Sequence, residues 1–407
     1  MNHQNILFLS NLIPECMTEE VAQKQSRTMQ NAAVSFQDNL ISGIEINTGA
    51  ALNLFNLLPI NSYPRFYSDA SVKSFAYAHT ENARDYNVGF CNLQYIKHIL
   101  LSHSYKKQFK KYWKQHHPAM VICYTPNINF LKALKWVKKK HPQVKSCVII
   151  PDMPEFNDMS NNQSLIRRCF YRHTSKKTRK YIQFADSFVY LTEQSAAYFC
   201  DTKPYTVVEG IIPDSRISDH PVLTETHPDL KQIVYTGTTN QKFGILTLLE
   251  AFSMIEGSEY RLVICGCGDS DEIIREKSRL DPRIVFKGIV SHKEALQIQK
   301  TATVLVNPRQ NIGEFTKYSF PSKTLEYLAS GVPLVAYKLD GIPDEYNGYI
   351  HYVGDNRPET LAETLQDVCS RPDHTRKDYA QKARLFVETT KNKIYQTQRI
   401  VDMLMKL

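Results

Sequence analysis

Short apolar runs alternate with longer amphipathic stretches along most of this chain. Residues 5–9, 120–124, 146–150, 187–191 and 206–208 are apolar runs of strand length, and a second series follows at 232–235, 261–265, 284–286, 302–306, 333–337 and 349–352. Helical periodicity fills the intervals. Strands regularly separated by helices predict the α/β class, because each helix lays its apolar stripe on a mostly parallel sheet. Two series predict two doubly wound, Rossmann-like sheets facing a cleft, with ligands held beyond the carboxyl ends of the strands. Between the series, residues 213–231 carry three prolines, two histidines and scattered acids and read as a loop. The expected domains are 1–215 and 232–378, joined by a linker at 216–231 and followed by a last helix over 379–407.

The 407 residues are enough for two domains with substantial cores. The chain has no run of 18 or more apolar residues, and its start, MNHQNILFLSNLIPE, lacks the basic head and long apolar centre of a signal peptide. A cytoplasmic location is expected. Nine cysteines without a pairing pattern suit reduced thiols, and Cys265-Gly266-Cys267 reads as structural.

Charge changes the picture of the first domain. Residues 86–180 hold nineteen lysines and arginines against Asp152, Glu155 and Asp158, a net +16 in a chain whose total is +9. No acid occurs from 86 to 151. Ile96, Ile99, Leu100, Phe109 and Tyr112 recur among lysines at helical spacing, as do Leu131, Leu134 and Val137. Two readings stand side by side: a solvated basic helix face, or attraction to an anionic lipid leaflet at roughly 1 kcal/mol per Lys or Arg near the surface. The second would make the protein peripheral on the inner membrane face. Nucleic acid is not the expected partner, since no nucleic-acid fold signature accompanies the aromatics.

The segment at 316–345, TKYSFPSKTLEYLASGVPLVAYKLDGIPDE, is the most informative for chemistry. Pro321 suits a first helical position, Ser319 or Ser322 can cap the freed amides, and Gly331 with Pro333 stops the helix before an apolar strand. Unpaired amides and the helix dipole favour a phosphate at that N-terminus. Glu326, one turn inside, can accept hydrogen bonds from two ribose hydroxyls. Lys323 shares its helix face. It either pairs with Glu326 or stands at the phosphate end, where a cation stabilises a departing diphosphate.

SFPSKTLEYLASGVPLVA resembles the donor-binding motif of family 4 retaining glycosyltransferases of the GT-B fold, and more narrowly of members that build bacterial capsular polysaccharides and exopolysaccharides. In that family two glutamates eight positions apart hold the sugar and the ribose. Glu326 matches the second, and Tyr318 stands where the first is expected, with Glu314 four residues further upstream. A tyrosine hydroxyl can still bond a sugar hydroxyl. Phe320, Pro321 and Ser322 fall inside the same motif. The resemblance also implies that the last helix crosses back to the first domain.

Further matches follow in the family's order. Gly237 ends a strand, and Thr238 and Phe243 occupy places where the family commonly has arginine and lysine, which leaves Lys242 as the substitute diphosphate ligand or as a solvent-exposed residue. A glycine at this turn allows close backbone approach. Gly266, in Gly266-Cys267-Gly268-Asp269, resembles the glycine pair lining the nucleotide site, or makes a tight turn. Ile289 falls where backbone groups meet the base. Arg309 either reaches the phosphates or donor sugar or forms a surface salt bridge. In the first domain, Asp152 lies where the family places a His or Asp opposite the transferred sugar, and is equally readable as an acidic turn residue between prolines.

The resemblance implies a retaining glycosyltransferase with a nucleotide diphosphate sugar as donor, UDP-linked, and a saccharide or lipid-linked saccharide as acceptor. Asp152, Lys323 and Glu326 are its candidate catalytic residues. No cofactor is expected, and no metal, since no Asp-x-Asp or His/Cys cluster with ligand spacing accompanies the motifs. Two alternatives remain open: a nucleotide-sugar epimerase on the same fold, and a noncatalytic partner in a polysaccharide assembly complex.

Overall fold

The computed structural model describes residues 5–25, 31–151, 153, 165–199, 202–213 and 230–407. The chain divides into two compact units, Met1–Glu209 with Lys393–Leu407, and Gly210–Asn392. The expected linker at 216–231 falls almost wholly outside the described residues.

The first unit is built on β1 (Ile6–Ser10), β2 (Asn53–Asn56), β4 (Phe75–Tyr77), β5 (Asp85–Asn87), β7 (Met120–Tyr124), β8 (Lys145–Ile150), β9 (Ser187–Tyr190) and β10 (Tyr205–Val207). They form one sheet in the order β10-β9-β8-β7-β1-β2-β5-β4. Every pairing is parallel except that of β4 with β5. Strands β1 and β7 are buried along their whole length, as expected of a parallel sheet covered on both faces. A short antiparallel pair, β3 (Ser71–Val72) with β6 (Phe90–Cys91), lies apart from that sheet.

The second unit has an all-parallel sheet of β11 (Lys231–Thr236), β12 (Tyr260–Cys265), β13 (Ile284–Gly288), β14 (Val304–Asn307), β15 (Leu334–Tyr337) and β16 (His351–Val353), ordered β13-β12-β11-β14-β15-β16. The chain builds outward through β12 and β13, then returns to the other side of β11. The order therefore reverses between β11 and β14, where such sheets open a crevice at their carboxyl ends. Helices pack on this sheet through buried faces such as Leu248 and Phe252, Leu325 and Leu328, and Leu361 and Leu365.

The single C-terminal helix expected over 379–407 is two helices, Asp373–Thr390 in the second unit and Lys393–Met405 in the first. The break lies at Lys391, whose carbonyl accepts the Ile212 amide at 2.9 Å and whose buried ammonium meets Glu345 at 2.6 Å. Helix Lys393–Met405 then packs on helix Asn31–Thr48. A Cβ on Gly43 would lie 2.6 Å from Thr397 Oγ1, and Asn47 donates to both Thr397 Oγ1 and the Ile394 carbonyl at 2.8 Å. Among the described residues no helix is long and apolar enough to cross a membrane.

Close backbone packing fixes the loops beyond β11 and β12. Gly266 has φ +137°, and a Cβ there would sit 1.7 Å from the Gly237 carbonyl oxygen. Strain and overlap together should cost about 3 kcal/mol or more in a Gly266→Ala variant. Its urea unfolding midpoint should fall clearly, whereas Gly348→Ala, with nothing within 4 Å of the added methyl, should leave the midpoint in place. Equal midpoints for the two variants would contradict this packing.

Candidate functional site

The loops leaving β11, β12, β13 and β14 meet at the carboxyl edge of the second sheet. The Gly237 amide donates to the Cys265 carbonyl at 2.9 Å, the Gly266 amide to the Gly288 carbonyl at 2.7 Å, and the Thr239 amide to the Cys267 carbonyl at 3.1 Å. Asp271 Oδ1 accepts from the Gly268 amide at 2.9 Å and from the Thr239 hydroxyl. Thus Gly237 and Gly266 are brought together, and what demands glycine at Gly266 is the neighbouring loop. Gly244, with φ +82°, starts helix Ile245–Ser253 so close to β14 that a Cβ would lie 1.8 Å from the Pro308 carbonyl oxygen.

Arg309 follows that contact and is only 8% exposed. Its Nη2 donates to Ser319 Oγ at 2.7 Å, and its guanidinium carbon lies 4.8 Å from the Phe315 ring centre and 5.8 Å from that of Phe243. Among the described residues Nε has no partner and no carboxylate pairs with Arg309. The surface salt bridge that the sequence allowed is therefore not formed among the described residues. Burial pulls the guanidinium pKa down to about 10, so the group stays charged at neutral pH. A desolvated cation that, among the described residues, is held by ring faces and one hydroxyl alone is an incomplete arrangement that an anion completes.

The motif helix runs Ser322–Ala329, with Pro321 as its N-cap residue rather than its first turn. Neither proposed serine caps it. Ser319 spends its hydroxyl on the Phe315 carbonyl, to which it donates at 3.0 Å while accepting from Arg309, and Ser322 is exposed. Among the described residues no side chain caps the helix. Gly331, at φ +76°, follows its end as expected.

Glu326 is half-turned into the structure, with 19% of its side chain exposed. Its Oε1 accepts from Lys323 Nζ at 2.9 Å and from Gln299 Nε2 at 2.6 Å. Lys323 thus makes the ion pair with Glu326 that the sequence allowed. Gln299 is fully buried and also donates to Thr236 Oγ1 at 2.7 Å. The Tyr327 hydroxyl accepts the Thr236 amide at 2.8 Å and donates to the Thr236 carbonyl at 2.9 Å. The end of β11, helix His292–Lys300 and the motif helix are joined here by one buried polar network.

The remaining sequence candidates are more dispersed. Thr238 is exposed, and its carbonyl accepts the Tyr235 hydroxyl at 2.7 Å. Lys242 is exposed, with its ammonium 5.1 Å from the Phe243 ring centre. Ile289 is 75% exposed just past β13. Tyr318 is half-buried at the end of a short 3-10 turn, Glu314–Lys317, in which Glu314 pairs with Lys317 at 3.0 Å. Phe320 is buried against Tyr346, with ring centres 5.4 Å apart, and so belongs to the core. Asp152 lies outside the described residues. Cys265 is buried, which raises its thiol to about 11, and Cys267 is exposed. Among the described residues no group of three or more His, Cys, Asp or Glu side chains is placed to hold a metal. Sequence reasoning missed Gln299, Thr236 and Phe315; only the amide in an otherwise amphipathic helix marked Gln299.

Residues 230–371 match the family model described as Glycosyl transferases group 1. Among solved structures, sucrose-phosphate synthase (tll1590) from Thermosynechococcus elongatus is similar at 15% identity, with 99% of each chain covered and a TM-score of 0.68. The lipopolysaccharide outer core galactosyltransferase WaaB, in its apo form, is similar at 15% identity over 99% of each chain, with a TM-score of 0.65. Anabaena Alr3699/HepE in complex with UDP is similar at 12% identity, over 99% of this chain and 100% of that one, with a TM-score of 0.61. No curated protein matches the chain by sequence. The fold and the matched domain define a glycosyltransferase of the GT-B type. That domain is the part of the chain carrying Arg309, Gln299 and Glu326.

If Arg309 is kept for an anion, removing its charge should not weaken the unliganded protein. Arg309→Leu is expected to melt no lower than the unmodified chain, and to lose most of the rise in melting temperature that millimolar inorganic pyrophosphate produces. A lower melting temperature with the pyrophosphate effect intact would make Arg309 a purely structural residue.

Proposed function

We propose that this protein transfers a sugar, with retention of configuration, from a UDP-linked donor to a saccharide or lipid-linked saccharide in the assembly of a bacterial surface polysaccharide, in the manner of family 4 enzymes. The observation that carries this reading is Arg309, a buried cation with no carboxylate partner among the described residues, in the same strand-end region as a helix start without a side-chain cap and Glu326. Phosphates at the helix N-terminus would meet its dipole and the guanidinium, and Glu326, held by Gln299, would accept the ribose hydroxyls. UDP in the similar HepE structure supports a nucleotide donor.

In this reading the bond between the anomeric carbon and the diphosphate oxygen breaks, and the acceptor oxygen bonds to that carbon on the same face. The acceptor proton passes to the departing diphosphate. The leaving charge is met by the helix N-terminus, Arg309 and Lys323, so the step needs neither a protein nucleophile nor a metal. Lys323 would have to leave Glu326 or serve both partners. The Tyr318 hydroxyl stands in for the missing glutamate toward the donor sugar, and the basic face of the first unit keeps the enzyme at an anionic membrane.

The absence of that glutamate, and of the arginine and lysine replaced by Thr238 and Phe243, favours a second reading as a nucleotide-binding partner without turnover. A panel of nucleotide sugars, followed by release of free nucleoside diphosphate with and without a lipid extract, separates the two. Release from one donor is expected, raised by the extract and reduced on the order of 10- to 100-fold in Glu326→Ala, as fits loss of hydrogen bonds to a charged group. Binding without release across donors and extracts would establish the partner instead.

A further inference from the structure

Helix Lys97–His116 presents two opposed faces. Leu101, Tyr105, Phe109, Tyr112 and Trp113 are buried. On the other face Ile99 is 73% exposed, Ile96 43% and Leu100 42%, and Tyr95, just before the helix, is 90% exposed. The sequence had grouped Ile96, Ile99 and Leu100 with Phe109 and Tyr112 as one pattern; the structure assigns them to opposite sides. At 100° per residue, Lys107, Lys110, Lys111 and Lys114 continue the stripe begun by Ile96 and Leu100. The solvent side is therefore apolar over its first turn and cationic thereafter.

The cations on this side are poorly neutralised. Lys107, Lys111 and Lys114 are exposed and have no acidic partner among the described residues, and Lys110 rests 5.3 Å from the Trp136 ring centre. Lys132, on helix Ile128–Lys140, has its pKa lowered by burial and then by the charges of Lys177 and Lys106, so three helices contribute like charges to one area. Each exposed apolar side chain that could be buried elsewhere forgoes favourable transfer from water.

We propose that this face docks on an anionic bilayer, with Tyr95, Ile96, Ile99 and Leu100 entering the interfacial layer and the following lysines holding lipid phosphates. It deepens the membrane association of the reading above without depending on its donor chemistry. The stripe from Ile96 to Lys114 is about 27 Å long, so the helix lies along the surface with its apolar end dipped by roughly 5–10 Å. A second copy of the chain is a poor occupant, because lysines would face lysines. A nucleic acid would match the charge and leave the apolar turn in water.

Cosedimentation of the full chain with phosphatidylcholine vesicles, with and without 30 mol% phosphatidylglycerol (about one charge per three lipids), tests the idea. Binding is expected only with the anionic lipid. Tyr95→Ser with Ile99→Ser should weaken it about tenfold or more at an unchanged melting temperature, and Lys107→Glu with Lys111→Glu should weaken it by a similar factor. A tryptophan at the apolar turn, Ile99→Trp, should shift to shorter emission wavelength on binding and be quenched by brominated lipid. Unchanged binding of the serine variant, or no tryptophan shift, would overturn the docking mode. Vesicle binding without donor turnover would overturn the transferase reading alone, and turnover without vesicle binding would overturn this one.

Discussion

The candidate site depends on how the chain leaves a parallel strand. At Thr236 the ladder of β11 ends, and the amide, carbonyl and hydroxyl of one buried residue must find partners outside the sheet. Tyr327 takes the first two and Gln299 the third. Because Tyr327 is the residue after Glu326, and Gln299 also holds Glu326, satisfying the strand end fixes where the carboxylate sits. The same edge brings the Gly266 loop onto Gly237 and the start of helix Ile245–Ser253 onto Pro308, which leads into Arg309. A structural necessity of the sheet thus sets the geometry of the charged groups.

Arg309 is the opposite case, a group the fold does not satisfy. Phe243 and Phe315 give it ring faces and Ser319 gives it one acceptor, but among the described residues its charge has no counterpart. Buried polar groups in folded proteins are normally paired, and exceptions concentrate where a ligand supplies the missing partner. The uncapped start of helix Ser322–Ala329 is a second exception in the same domain. Phe243 turns a ring face to the cation and supplies no charge of its own.

Much of the fold was legible because parallel strands buried on both faces are written as continuous apolar runs; Met120–Tyr124 is such a run and forms β7 at the same bounds. Asn53–Asn56 was not recognised as β2, since both ends are asparagines whose burial depends on distant partners: Asn56 bonds the Ser10 hydroxyl, the Leu12 backbone and Asn87. The short strands from 71 to 91 carry too few residues for a period to show. In the site, Gly331 and the motif helix could be read locally, as chain-neighbour effects. Arg309 could not, because its burial is created by Phe243 and by Phe315, the first of them 66 positions away. Gln299 matters only through contacts to strand and helix residues remote in sequence.

A crystal structure of the protein with a nucleoside diphosphate bound tests this account most directly. The account predicts phosphate oxygens within hydrogen-bond distance of Arg309 and of the first amides of helix Ser322–Ala329, with the ribose hydroxyls on Glu326. Phosphates seated away from Arg309, with its guanidinium still resting only on Ser319 and the two rings, would contradict it.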